Sequence, residues 1–101
     1  MSPRETSMEA PILIVDDDPI VCSLMQAALE SEGYRVLAAA DGEGGCRLCE
    51  ASRPQLLIAD VVMPRMDGFE LCFELRRRAQ SAHLPILMAR PRRRGLDHQG
   101  L

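Results

Sequence analysis

Four short runs limit what this chain can fold into: ILIV at 12–15, YRVLAA at 34–39, QLLIAD at 55–60 and PILMA at 85–89. ILIV is continuously apolar and β-branched rather than alternating. A strand of that kind is covered on both faces, which is the habit of parallel sheets. The intervals between the runs carry helical signals. Asp18 followed by Pro19 is a helix start, a side-chain acceptor before a residue suited to the first helical position. Ile20, Leu24, Ala27 and Ala28 follow at helical spacing, and Gly33 suits a left-handed stop. Asp41-Gly42 reads as a turn before a helix over 43–52. That helix is weakened by Gly44 and Gly45, at about 1 kcal/mol each against Ala, and Arg53-Pro54 breaks it. Asp67 caps a third helix, FELCFELRRRA, with Phe69, Leu71, Cys72 and Leu75 along its apolar side. The order β-α-β-α-β-α-β predicts an α/β fold: a doubly wound parallel sheet with right-handed crossovers and helices on both faces.

That arrangement explains an otherwise costly feature. Asp16, Asp17 and Asp18 stand side by side where the first strand ends, and Asp60 closes the third. Adjacent carboxylates raise one another's pKa and repel. Ligands of open parallel sheets sit outside the carboxyl ends of the strands. If strands one and three are neighbours, Asp16, Asp17 and Asp60 meet in one cleft while Asp18 caps the helix. Hard oxygen donors of this kind suit Mg²⁺.

Composition bounds the rest. The length of 101 residues fits one domain, and 47% apolar content allows a core. With Phe69, Phe73, Tyr34 and no Trp, that core must be aliphatic. No apolar run approaches the ~20 residues of a membrane span, and MSPRETSMEA lacks a signal-peptide run, so a cytoplasmic protein is expected. Cys46 and Cys49 form a C-x-x-C, but Cys22 and Cys72 are singletons, so four small buried hydrophobes are expected rather than a zinc site. Residues 1–89 carry net −6 and residues 90–101 net +3; all twelve basic residues are Arg and there is no Lys.

As a set, ILIVDDDP, the Asp41-Gly42 turn, RPQLLIADVVMPRMDGFELC and LPILM resemble the receiver domain of two-component response regulators, over about residues 11–88. The resemblance implies the flavodoxin-like fold with strand order 2-1-3-4-5. It implies that Asp60 is the phosphoacceptor, taking a phosphoryl group from a phosphohistidine on a sensor histidine kinase or a phosphotransfer protein. It further implies that Mg²⁺ is held directly by Asp17, through water by Asp16, and by Asp60 and the Val62 backbone carbonyl. Such a module is a phosphorylated signalling protein, not an enzyme that turns over a small molecule.

The chain departs from that family after strand four. Arg90 stands where a receiver carries Ser or Thr, and the Lys expected at the end of strand five has no counterpart. Helix four, strand five and helix five have no matching pattern. The expected organisation is an unstructured segment at 1–10, a truncated receiver at 11–89 and an Arg-rich irregular tail at 90–101. The tail's Arg, Pro and Gly are also what GC-rich DNA read out of frame would encode. It has no aromatic stacking residues and no DNA-binding motif, so it gives no case for nucleic-acid binding. An exposed fourth strand would invite self-association. Two other readings compete with a working phosphoacceptor. One is a truncated or pseudo-receiver that only binds partners, or a fragment without function. The other is an Mg²⁺-dependent phosphatase with Asp60 as nucleophile, but such enzymes place a second acid two residues on, where this chain has Val62.

Overall fold

In the computed structural model, residues 10–89 are described. The expectations for residues 1–9 and 90–101, Arg90 among them, lie outside that range. The first strand, β1 (Ile12–Val15), is buried along its whole length. It can be so because it has a parallel neighbour on each side: β2 (Val36–Ala39) and β3 (Leu56–Asp60). A fourth strand, β4 (Ile86–Ala89), pairs in parallel with β3, giving the order β2-β1-β3-β4. These are the first four positions of the doubly wound order. β1 matches its run, while β2, β3 and β4 are each shorter than the runs that predicted them. Tyr34 still serves the preceding helix, donating its N–H to the Leu29 carbonyl at 3.2 Å.

Three α-helices join the strands. The first, α1 (Pro19–Ser31), starts as expected, with the Asp18 side chain accepting from the Ile20 N–H at 2.9 Å, and is followed by Gly33 at φ 99°. None of its residues is buried, and Ile20 and Leu24 stand 68% and 66% exposed. Their helical spacing predicted a covered face. The register explains the difference. Ile14, Ile58 and Leu87 lie in one row across β1, β3 and β4 on the α1 side of the sheet, and α1 is the only α-helix described on that side. Leu87, at the far end of the row, is exposed too.

The opposite face is well packed. There α2 (Gly42–Ser52) and α3 (Gly68–Arg76) cover Leu13, Val15, Leu57 and Ala59 with Leu71, Leu75 and the two cysteines of the C-x-x-C motif. Cys46 and Cys49 are free thiols inside this core, and burial pushes both up in pKa. They are small hydrophobes, as expected, and Cys22 and Cys72 are half-buried. Gly45 justifies its poor helix propensity: a Cβ there would lie 2.8 Å from Val15 Cγ2, so α2 approaches β1 closely only because the side chain is missing.

The third helix corrects two expectations. Phe69 is 61% exposed rather than on the buried side, where Leu71 and Leu75 take the inner stripe. The helix also ends at Arg76 rather than running on to Ala79. A short 3₁₀ turn, Ala79–Ser81, folds back under it; the Ser81 hydroxyl donates to the Leu75 carbonyl, and Arg76 donates to the Ser81 and Ala82 carbonyls. These contacts satisfy carbonyls that a helix end leaves open.

The start of α3 is fixed by contact with β3. A Cβ on Gly68 would lie 2.4 Å from the Asp60 carbonyl oxygen, a backbone atom with little room to yield. Gly68→Ala is therefore expected to cost about 1–3 kcal/mol, the range for overpacking a tight contact, in a urea denaturation of the full chain. An unchanged midpoint would show that the loop before α3 accommodates the methyl group.

Candidate functional site

The β1–β3 pairing builds the site. Val15 pairs with Ala59, so Asp16 and Asp60 fall next to each other at the same edge of the sheet. The structure brings together the three acids expected there: one carboxylate oxygen from each of Asp16, Asp17 and Asp60 lies within 4.8 Å of the others. Their environments differ. Asp60 is buried, Asp16 half-buried and Asp17 exposed.

Hydrogen bonds hold Asp16 and Asp60 in place. The Asp16 N–H donates to the Ala39 carbonyl at 3.1 Å, tying it to the end of β2. Asp16 Oδ1 accepts from the Asp18 N–H at 2.9 Å, and the Cys22 thiol donates to the Asp16 carbonyl at 3.3 Å. The loop thus folds onto α1, with Asp18 reserved for the helix cap. On the other side, Asp60 Oδ1 accepts from the Val62 N–H at 3.1 Å. The Val61 N–H donates to the Ala89 carbonyl, and the Val61 carbonyl accepts from the Gly68 N–H. Val62, expected to lend its carbonyl to a cation, is therefore joined to Asp60 through its amide and is exposed.

Sequence reasoning did not find two supports of this region. Met63 is buried in the α2–α3 core and anchors the loop after β3. Arg65, at φ 65°, reaches back to Asp41 Oδ2 at 3.3 Å, so the loop is also tied to the N-terminus of α2. The apolar Met63 was a visible signal for the first. The second needs the three-dimensional approach of residues 24 apart. The Arg76–Arg78 run proves structural: beside the Arg76 contacts, Arg77 pairs with Glu74, and Arg78 pairs with Glu74 and Glu50.

Desolvation raises the Asp16 carboxyl above its ordinary pKa, and the charges of Asp60, Asp17 and Asp18 add to it; the Asp18 N–H opposes them. Burial first, then Asp16, pushes the Cys22 thiol up as well. Three hard oxygen donors gathered this closely, against their mutual repulsion, fit a small divalent cation that takes one or two carboxylates and keeps its waters.

With this geometry, the comparisons with known proteins agree. The response regulator receiver domain family matches residues 12–92, and the chain belongs to that family. Its relatives include the alkaline phosphatase synthesis transcriptional regulatory protein PhoP of Bacillus subtilis, 42% identical over 81 residues, which are 80% of this chain and 33% of that protein. An uncharacterized 14.6 kDa protein of Leptolyngbya boryana is 38% identical over 95 residues, 94% of this chain and 72% of that protein. The solved structure of chemotaxis protein CheY4 from Vibrio cholerae superposes with a TM-score of 0.79 at 33% identity, covering 89% of this chain and 75% of that one. The chain spans about a third of the length of the transcriptional regulators it matches. Among the described residues, no helix is long and apolar enough to cross a membrane.

The raised Asp16 pKa has a stability consequence. A carboxyl whose pKa is higher folded than unfolded favours folding when protonated, and that contribution is lost as pH rises from about 4 through the raised value. At neutral pH the cation-free protein therefore carries an ionised Asp16 at a cost. Asp16→Asn, which keeps an acceptor for the Asp18 N–H, is expected to raise the cation-free melting temperature at pH 7 and to leave it unchanged at pH 3. Calorimetry at the two pH values checks this; an equal shift at both would assign the effect to packing rather than charge.

Proposed function

We propose that the chain is a phosphoacceptor module of a two-component relay, with Asp60 as the acceptor. The observation that carries the reading is the gathering of the Asp16, Asp17 and Asp60 carboxylates at the edge where β1 and β3 end. An Asp60 oxygen attacks the phosphorus of a phosphohistidine on a sensor kinase or phosphotransfer protein. The new P–O bond forms as the P–N bond breaks, and the electron pair returns to the imidazole. Asp60 is held for this by the Val62 amide on one oxygen. Asp16, Asp17 and the Val62 carbonyl are the groups that would hold Mg²⁺ with it. When bound, Mg²⁺ offsets the negative charge that the phosphoryl oxygens bring to a cleft of three acids, which is most of what such transfers need. The module acts by being modified, not by turning over a small molecule.

A second reading, a receiver that binds partners without switching, draws on two facts. β4 ends with Ala89 opposite Asp60, with Arg90 next rather than a hydroxyl residue, and the chain contains no Lys. In that reading β4, at the edge of the described sheet, pairs with another chain. Both readings predict the same metal site and differ in the response to phosphorylation.

Intact-mass spectrometry after acetyl phosphate treatment tests the proposal. The full chain is expected to gain one labile phosphoryl group with Mg²⁺, none without it and none in Asp60→Asn. A stable adduct, or one that persists in Asp60→Asn, would refute the assignment. Titration calorimetry is expected to show Mg²⁺ affinity falling about tenfold or more in Asp17→Asn, on the order of 1.4 kcal/mol; equal affinity would remove Asp17 from the ligand set. Sedimentation before and after phosphorylation separates the two readings, since only a working switch changes its association state.

A further inference from the structure

A second cavity, of about 670 Å³, opens between the N-terminus of α2 and the outer side of α3. Its floor is apolar. Phe69 and Phe73 sit one turn apart and are 61% and 66% exposed, with Met66 beside them. Its rim is acidic, with Asp41, Glu43, Glu70 and Glu74 set against the Arg65 guanidinium. Two large aromatic rings among carboxylates suit a ligand carrying guanidinium groups, which stack on rings and fork onto carboxylates at once. One such contact already stands beside the groove. The Arg77 guanidinium lies 5.9 Å from the Phe73 ring centre while pairing with Glu74 at 3.1 Å.

We propose that this groove is the docking place of the Arg-rich segment 90–101 of the same chain. The point of exit favours it. The Ala89 carbonyl accepts from the Val61 N–H at 3.0 Å, and the Val61 carbonyl accepts from the Gly68 N–H at 3.2 Å. β4 therefore ends two backbone hydrogen bonds away from the N-terminus of the helix that carries both rings. The length is sufficient. Residues 90–96 can span about 23 Å when extended, while Gly68 to Phe73 advances only about 8 Å along α3. The chemistry matches as well: Arg90, Arg92, Arg93 and Arg94 complement the acidic rim, and Leu96 is an apolar residue for the floor. The cleft of Asp16, Asp17 and Asp60 also attracts positive charge but offers no aromatic surface. Because both partners belong to one chain, the contact forms at the high effective concentration of a short tether.

Amide NMR spectra of the full chain at low salt, compared with those of the Arg92→Gln, Arg93→Gln, Arg94→Gln variant, test this. The substitutions lie beyond the described residues, and the core amides of Leu13 and Leu57 serve as a control for folding. The amides of Gly42, Phe69, Glu70 and Phe73 are expected to differ between the two proteins. They are expected to converge as salt rises from about 20 to about 300 mM and the screening length shortens. Phe69→Ser, a change at an exposed position, is expected to abolish the difference. Coincident groove amides at low salt would overturn the proposal. So would a difference confined to Asp16, Asp17 and Asp60, which would put the segment in the cleft. A difference that grows with protein concentration would overturn it too, by assigning the groove to the segment of a second copy.

Discussion

The parallel pairing of β1 with β3 is the constraint on which the rest depends. It makes the two strands end level, so residues far apart in sequence share one edge. Everything chemical about the chain rests on that alignment. Shifting β3 by one residue would turn Asp60 to the other face of the sheet and bury Ile58 where Ala59 now packs, since side chains alternate along a strand. The buried row of Leu13, Leu57, Val15 and Ala59 under α2 and α3 holds the register, so the core and the acidic cleft are specified by the same pairing. The cost of gathering like charges falls where aliphatic packing can offset it.

Much of this was legible in the chain itself. The continuous apolar runs gave the strands, and Asp18 and Asp67 gave two helix starts whose side chains cap as expected; Asp41, read only as part of a turn, caps a helix as well, and that helix begins at Gly42, one residue earlier than the turn suggested. The meeting of Asp16, Asp17 and Asp60 came from strand order alone. What sequence could not supply was which side of each helix finds a partner. Phe69 and Leu71 are both apolar, and periodicity cannot decide between them when a helix has only nine residues and the sheet covers one narrow stripe. Likewise Ile20 and Leu24 announce an apolar face, but covering that face takes a second element, which the spacing within one helix does not specify.

The loop after β3 shows how backbone and side chain share the task of holding a site. Met63 reaches down into the core, Arg65 reaches across to Asp41, and the Gly68 amide returns to the Val61 carbonyl. These ties turn seven residues between strand and helix into a small scaffold. The burial of Asp60 is tolerable because its surroundings include polar backbone groups aimed at it, as the Val62 amide is. The Arg53 turn at φ 48° and the Gly33 turn at φ 99° do the same service at the far ends of α2 and α1, where the chain must reverse toward the next strand.

The unequal covering of the two sheet faces sets a gradient of local opening across the cleft. Asp60 belongs to a strand clamped under two helices with buried Leu71 and Leu75, whereas Asp16 and Asp17 precede a helix that buries none of its residues. Segments with few buried apolar contacts open at lower free energy than the core around them. One wall of the cleft is therefore backed by the packed core under α2 and α3, and the other leads into a helix that buries none of its residues. A ligand bridging Asp16 or Asp17 to Asp60 would have to hold the loose wall against the firm one, so its binding would be felt as ordering along α1 well beyond the acids it touches.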